Sequence, residues 1–99
     1  NTFDCSGLVS WAYRQAGVSI AHSSNSLKSY VQAIGNWTSD LEALEPGDLV
    51  LYSHDGGRTT YHVALYLGDG MVVHANGSET VVSDVDYDRG AIGGGSPIR

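Results

Sequence analysis

Only one cysteine, Cys5, occurs in 99 residues, so no disulfide can form within this chain, and pairing says nothing about its redox compartment. Positive charge is equally scarce. Five Lys and Arg stand against 11 Asp and Glu, for a formal net charge of −6. A phosphate backbone or an anionic membrane surface demands the opposite balance, so nucleic-acid binding and basic membrane association are excluded. No apolar run approaches the roughly 20 residues that span a bilayer, so no membrane insertion is expected. Within these 99 residues no charged-then-apolar signal segment is visible. What is present is the composition of a folding chain, with 41% hydrophobic and 16% charged residues and 13 glycines. This length suits one core, so one domain over 1–99 is expected, without a separate cofactor domain and without an internal repeat.

Apolar residues first recur at helical spacing. From Ser6 to Ala16, Leu8, Val9, Ala12, Tyr13 and Ala16 line one face, and Gly17 offers a left-handed stop. A second helix follows, capped by Ser24 or Asn25, with Leu27, Tyr30, Val31 and Ile34 on its face and Gly35 at its end. After Pro46-Gly47 the period changes to that of strands. DLVLYSH, HVALYLGDG, MVVHAN and TVVSDV are short β-branched or aromatic runs bounded by turn residues, which predicts an antiparallel sheet. Helices precede strands instead of alternating with them, so the fold class is α+β. The terminal GAIGGGSPIR reads as a flexible closing segment, and no Lys-Ser/Thr makes it a phosphate loop.

The HVALYLGDGMVVHA stretch predicts a hairpin turning at Gly68-Asp69-Gly70. A three-residue loop pairs Leu67 with Met71 and places His62, Ala64, Tyr66, Val72, His74 and Asn76 on one face. His74 is then the diagonal neighbour of His62, at roughly 7–8 Å between backbones. A two-residue loop would put the two histidines on opposite faces, and the apolar face favours neither register.

This arrangement gives the lone thiol a context. A cysteine in the first turn of a helix feels the positive end of the backbone dipole, which favours the thiolate. His62 supplies a base, His74 a polar group to orient that base, and amides at the helix start an oxyanion site. The same three residues also form a legitimate zinc set, but no Cys-x-x-Cys or His-Glu-x-x-His pattern supports a metal, and none is expected. His22 and His54 sit in polar loops and read as solvated.

Three blocks, FDCSGLVSWAYRQAG, LEPGDLVLY and HVALYLGDGMVVHA, resemble in order and spacing the signature blocks of the NlpC/P60 family of bacterial cell-wall cysteine peptidases. The resemblance implies a papain-like α+β core in which the cysteine helix packs on a sheet carrying the histidine. It makes Cys5 the nucleophile, His62 the base and His74 the orienting residue. It also puts Asp4 and Ser24 in the substrate pocket, Asp4 facing the substrate's free amino end. Two departures are visible near Ser24, where Ala21 and His22 replace the usual proline and arginine. Members also carry a Tyr-x-x-Gly-Gly stretch upstream of the cysteine. Here the chain begins four residues before Cys5, so the domain is expected to lack its N-terminal segment.

The implied activity is hydrolysis of peptidoglycan stem peptides at the bond between γ-D-glutamate and the following diamino acid, without a cofactor, by a monomer that is secreted or wall-associated. The alternatives are a non-catalytic or regulatory wall-binding module with the same fold, and a related wall amidase or acyltransferase.

Overall fold

The computed structural model describes residues 5–15, 17, 24–75, 80–86 and 90–97, apart from the side chains of 5–7 and 10. Among these residues two α-helices, α1 (Cys5–Gln15) and α2 (Ser24–Ala33), precede a short 3-10 turn (Leu41–Ala43) and five strands: β1 (Leu49–Tyr52), β2 (His62–Gly68), β3 (Met71–Ala75), β4 (Thr80–Asp84) and β5 (Ala91–Gly95). All strand pairs are antiparallel, and the sheet order is β4-β3-β2-β1-β5. Segregated helices and strands make this an α+β fold, as the periodicities predict.

Each helix ends where a glycine supplies positive φ. Gly17 (φ +84°) donates its amide to the Arg14 carbonyl at 2.9 Å after α1. Gly35 (φ +81°) follows α2, and the Asn36 amide reaches back to the Val31 carbonyl at 3.1 Å. The apolar faces differ slightly from expectation. Leu27 and Val31 are fully buried, but Tyr30 is 50% exposed, because only the stripe at i and i+4 meets the sheet squarely. Asn25 accepts hydrogen bonds from Thr60 instead of capping α2, from its backbone N at 2.8 Å and from Oγ1 at 3.0 Å.

The sheet is covered on both faces. Leu49, Leu51 and Val63 point to α1 and α2, where they enclose Val9, Tyr13, Leu27 and Val31. The alternate residues Val50, Tyr52, Ala64, Tyr66 and Val72 form a second cluster with Leu44. Each fully buried aliphatic side chain contributes about 1.5–3 kcal/mol, so these two layers dominate the stability. The Tyr13 hydroxyl also donates to the Gly47 carbonyl, tying α1 to the turn that leads into β1.

The closing segment is a strand, contrary to expectation. β5 pairs with β1 through Leu49↔Gly95, Val50↔Gly94 and Leu51↔Gly93. Thr38 and Gly94 exchange backbone hydrogen bonds of 2.9 Å on its other side. Glycine is required here by closeness of approach: a Cβ on Gly94 would lie 1.8 Å from the Leu49 oxygen, and one on Gly95 2.1 Å from the Asn36 oxygen. The run that looks unstructured by propensity is extended because neighbouring backbones press on it from two sides.

Candidate active site

The hairpin of β2 and β3 sets the geometry. Its tip is a two-residue turn, Asp69-Gly70, with Gly68 paired to Met71. Both central residues have positive φ, +55° and +76°, which is the character of a type I′ turn and explains the Asp-Gly dipeptide. Left unbroken, that loop would put the histidines on opposite faces. A bulge at Leu67 intervenes, so that the next pairs are Tyr66↔Val72 and Leu65↔Val73. These are the pairings expected from a three-residue loop. The loop type differs from expectation, but the facing of the histidines does not.

His62 and His74 therefore meet. His62 Nε2 lies 3.0 Å from His74 Nδ1, with the rings edge to face at 88° and 5.0 Å between centroids. His74 is buried, at 4% exposure, and burial pushes its pKa below the ordinary histidine value. A neutral ring has one N–H and one lone pair. Its second nitrogen, Nε2, lies 3.1 Å from Ser83 Oγ on β4. A polar line thus crosses three adjacent strands, from His62 through His74 to Ser83. Nothing in the sequence singles out Ser83. A serine at the fourth place of a five-residue strand carries no signal until the β3–β4 register, Val72↔Ser83, places it diagonal to His74.

His62 is held from its other side as well. It opens β2 opposite Tyr52, whose ring lies 5.5 Å away, and Tyr52 is anchored by donating its hydroxyl to the Val85 carbonyl at 2.8 Å. The loop before it is laced by side chains. Asp55 accepts from the Thr59 hydroxyl at 2.7 Å, from the Thr59 amide at 2.9 Å and from Ser53 Oγ at 2.7 Å, and these bonds hold its carboxyl well below the usual carboxylate range. His54, expected to be simply solvated, is exposed but stacks on Tyr61 at 3.8 Å between centroids.

Ser24 opens α2 and meets the residue two before His62. Its Oγ accepts from Thr60 Oγ1 at 2.8 Å and lies 3.3 Å from the Thr60 carbonyl. These bonds fasten the start of α2 to the entrance of β2. Cys5 opens α1, and α1 lies against β2 and β3, the two strands that carry the histidines. The Cys5 side chain, Asp4 and His22 lie outside the described residues. Among the described residues, no three His, Cys, Asp or Glu side chains converge on one point as metal ligands would.

Similar proteins share this framework. A curated relative, a gamma-D-glutamyl-L-lysine dipeptidyl-peptidase of Bacillus cereus, is 36% identical over 81 residues, covering 81% of this chain and 23% of its own. The solved structure of the peptidoglycan hydrolase RipB of Mycobacterium tuberculosis superposes with a TM-score of 0.75 at 36% identity, covering 98% of this chain and 46% of its own. RipD of the same organism, described as a non-catalytic NlpC/p60 domain protein adapted to peptidoglycan binding, gives a TM-score of 0.71 at 33% identity over 94% of this chain and 65% of its own. The chain spans well under half the length of the curated relatives it matches. The family model described as NlpC/P60 family matches residues 1–90, and the chain belongs to the NlpC/P60 family.

Proposed function

We propose that this domain is a cysteine endopeptidase acting on peptidoglycan stem peptides, at the bond between γ-D-glutamate and the diamino acid that follows. One observation carries the reading: the 3.0 Å approach of His62 Nε2 to His74 Nδ1, on strands packed against the helix that Cys5 opens. With Nε2 of His62 engaged by His74, Nδ1 is the nitrogen that serves the thiol.

In this reading Cys5 loses its proton to His62, and the helix start stabilises the thiolate. The sulfur attacks the scissile carbonyl carbon, and helix-start amides hold the resulting oxyanion. His62 then protonates the leaving amine of the diamino acid, leaving a thioester. Water, deprotonated by His62, hydrolyses that thioester and restores the thiol. Asp4, beside the nucleophile, receives the free ammonium end of the substrate, and Ser24 borders the same pocket. A monomer, secreted or held at the wall of a bacterium, fits such a substrate.

Mass spectrometry of muropeptides treated with the protein tests this. The expected products end in γ-D-glutamate and begin with the diamino acid, and Cys5→Ala abolishes them. His62→Ala costs nearly as much, because the base acts in both halves of the reaction, whereas His74→Gln is milder because an amide keeps one orienting bond. RipD makes a second reading concrete, a wall-binding module without turnover. The presence of Cys5, His62 and His74 favours the enzyme. Unchanged muropeptides together with retention on insoluble peptidoglycan would establish the binding module instead.

A further inference from the structure

The geometry points to Ser83 as a positioning residue that supports the Nε2–H tautomer of His74 and, through it, the proton-accepting nitrogen of His62. The inference rests on the peptidase reading and extends it to a residue on the edge strand β4. Ser83 Oγ lies 3.1 Å from His74 Nε2, and His74 Nδ1 lies 3.0 Å from His62 Nε2. Two tautomers of His74 are available.

With the proton on Nε2, His74 donates to Ser83, and its Nδ1 lone pair receives the Nε2–H of His62. Nδ1 of a neutral His62 then carries a lone pair that takes the thiol proton. The imidazolium so formed still has its Nε2–H matched to an acceptor. With the proton on Nδ1, His74 donates to His62 instead. A neutral His62 must then hold its own proton on Nδ1, where no lone pair is left for the thiol. Protonating it would set two N–H groups against each other.

A hydroxyl can accept from Nε2–H or donate to a bare Nε2, so the selection comes from the proton transfer itself: the His62 imidazolium needs the Nδ1 lone pair of His74, His74 then carries its proton on Nε2, and Ser83 supplies the acceptor that keeps this buried N–H paired. Ser83 touches neither thiol nor substrate. Its hydroxyl also rotates freely enough to serve as acceptor without a backbone change, and β4 holds it in place through Val72↔Ser83 and His74↔Val81.

Long-range ¹H–¹⁵N NMR of the histidine rings, together with the iodoacetamide alkylation rate of Cys5 at neutral pH, tests the assignment without any substrate. In the unsubstituted protein His74 should carry its proton on Nε2. Ser83→Ala should shift His74 toward the Nδ1–H tautomer and slow alkylation about tenfold, the scale of one hydrogen bond near a charged group. Ser83→Thr, which keeps the hydroxyl, should restore both. In a His74→Gln background Ser83→Ala should have no further effect on alkylation.

An Nδ1–H tautomer in the unsubstituted protein would overturn the inference, and that measurement does not depend on any variant folding. An unchanged tautomer and unchanged alkylation in Ser83→Ala would also overturn it. A Cys5 no more reactive than glutathione would defeat the peptidase reading alone, because the role of Ser83 is still read from the ring nitrogens.

Discussion

His74 is a titratable ring with almost no exposure, and its charge state is coupled to folding. Burial lowers its folded pKa, so between that value and the unfolded value of about 6.5 the unfolded chain binds more protons than the folded one. Stability should therefore be insensitive to His74 above about pH 7 and fall as pH drops below about 6.5. Urea midpoints measured from pH 8 to pH 5 should decline for the natural sequence and decline less for His74→Gln. A steeper decline in that variant would reverse the sign of the argument. At this scale the sequence is partly legible. Cys5 between Asp4 and Ser6-Gly7, with His62 and His74 downstream, suggests a thiol and a candidate base by residue type and spacing, and the fold brings the two histidines together. Ser83 is invisible, because one hydroxyl among many acquires meaning only from a neighbour nine residues away in sequence.

Periodicity made the helices and the first four strands legible at the level of elements, since buried faces impose spacings of 3.6 and 2. It failed for β5, whose Ala-Ile-Gly-Gly-Gly has no alternation to detect and is held by backbone proximity instead. This failure yields a sharp expectation. Gly94→Ala places a methyl group 1.8 Å from the Leu49 oxygen, and the contact is with backbone, which has no rotamer to escape into. The substitution should cost at least the upper end of the about 1–3 kcal/mol typical of overpacking. Gly47→Ala, at φ +93° but with nothing within 4 Å, pays for backbone strain alone and should lose less. Chemical unfolding of the two variants side by side measures the difference, and equal losses would show that β5 is not pressed between β1 and residues 36–38.

Across the whole molecule, the sheet works as an instrument for holding side chains of distant residues in line. Tyr52, His62, His74 and Ser83 come from four strands, yet ring contacts and hydrogen bonds join them in sequence. The α+β class follows from the order of periodic segments, but the alignment depends on register, and register was legible only in part. The expected pairs Leu65↔Val73 and Tyr66↔Val72 are present, although they are reached through a tight turn and a bulge that the apolar pattern does not distinguish from a wider loop.

The bulge at Leu67 also bears on how the chain tolerates changes in its own length. Removing Leu67 leaves Gly68↔Met71 followed directly by Tyr66↔Val72, an unbroken ladder with the histidines still facing each other. Leu67 is 45% exposed, so little core is lost with it. A protein with that single-residue deletion should keep the His62–His74 ring coupling by NMR and most of its turnover, and separation of the two rings would refute the point. The hairpin tip would then absorb the loss of a residue: a related sequence can be one residue shorter there while the facing of His62 and His74 is inherited unchanged.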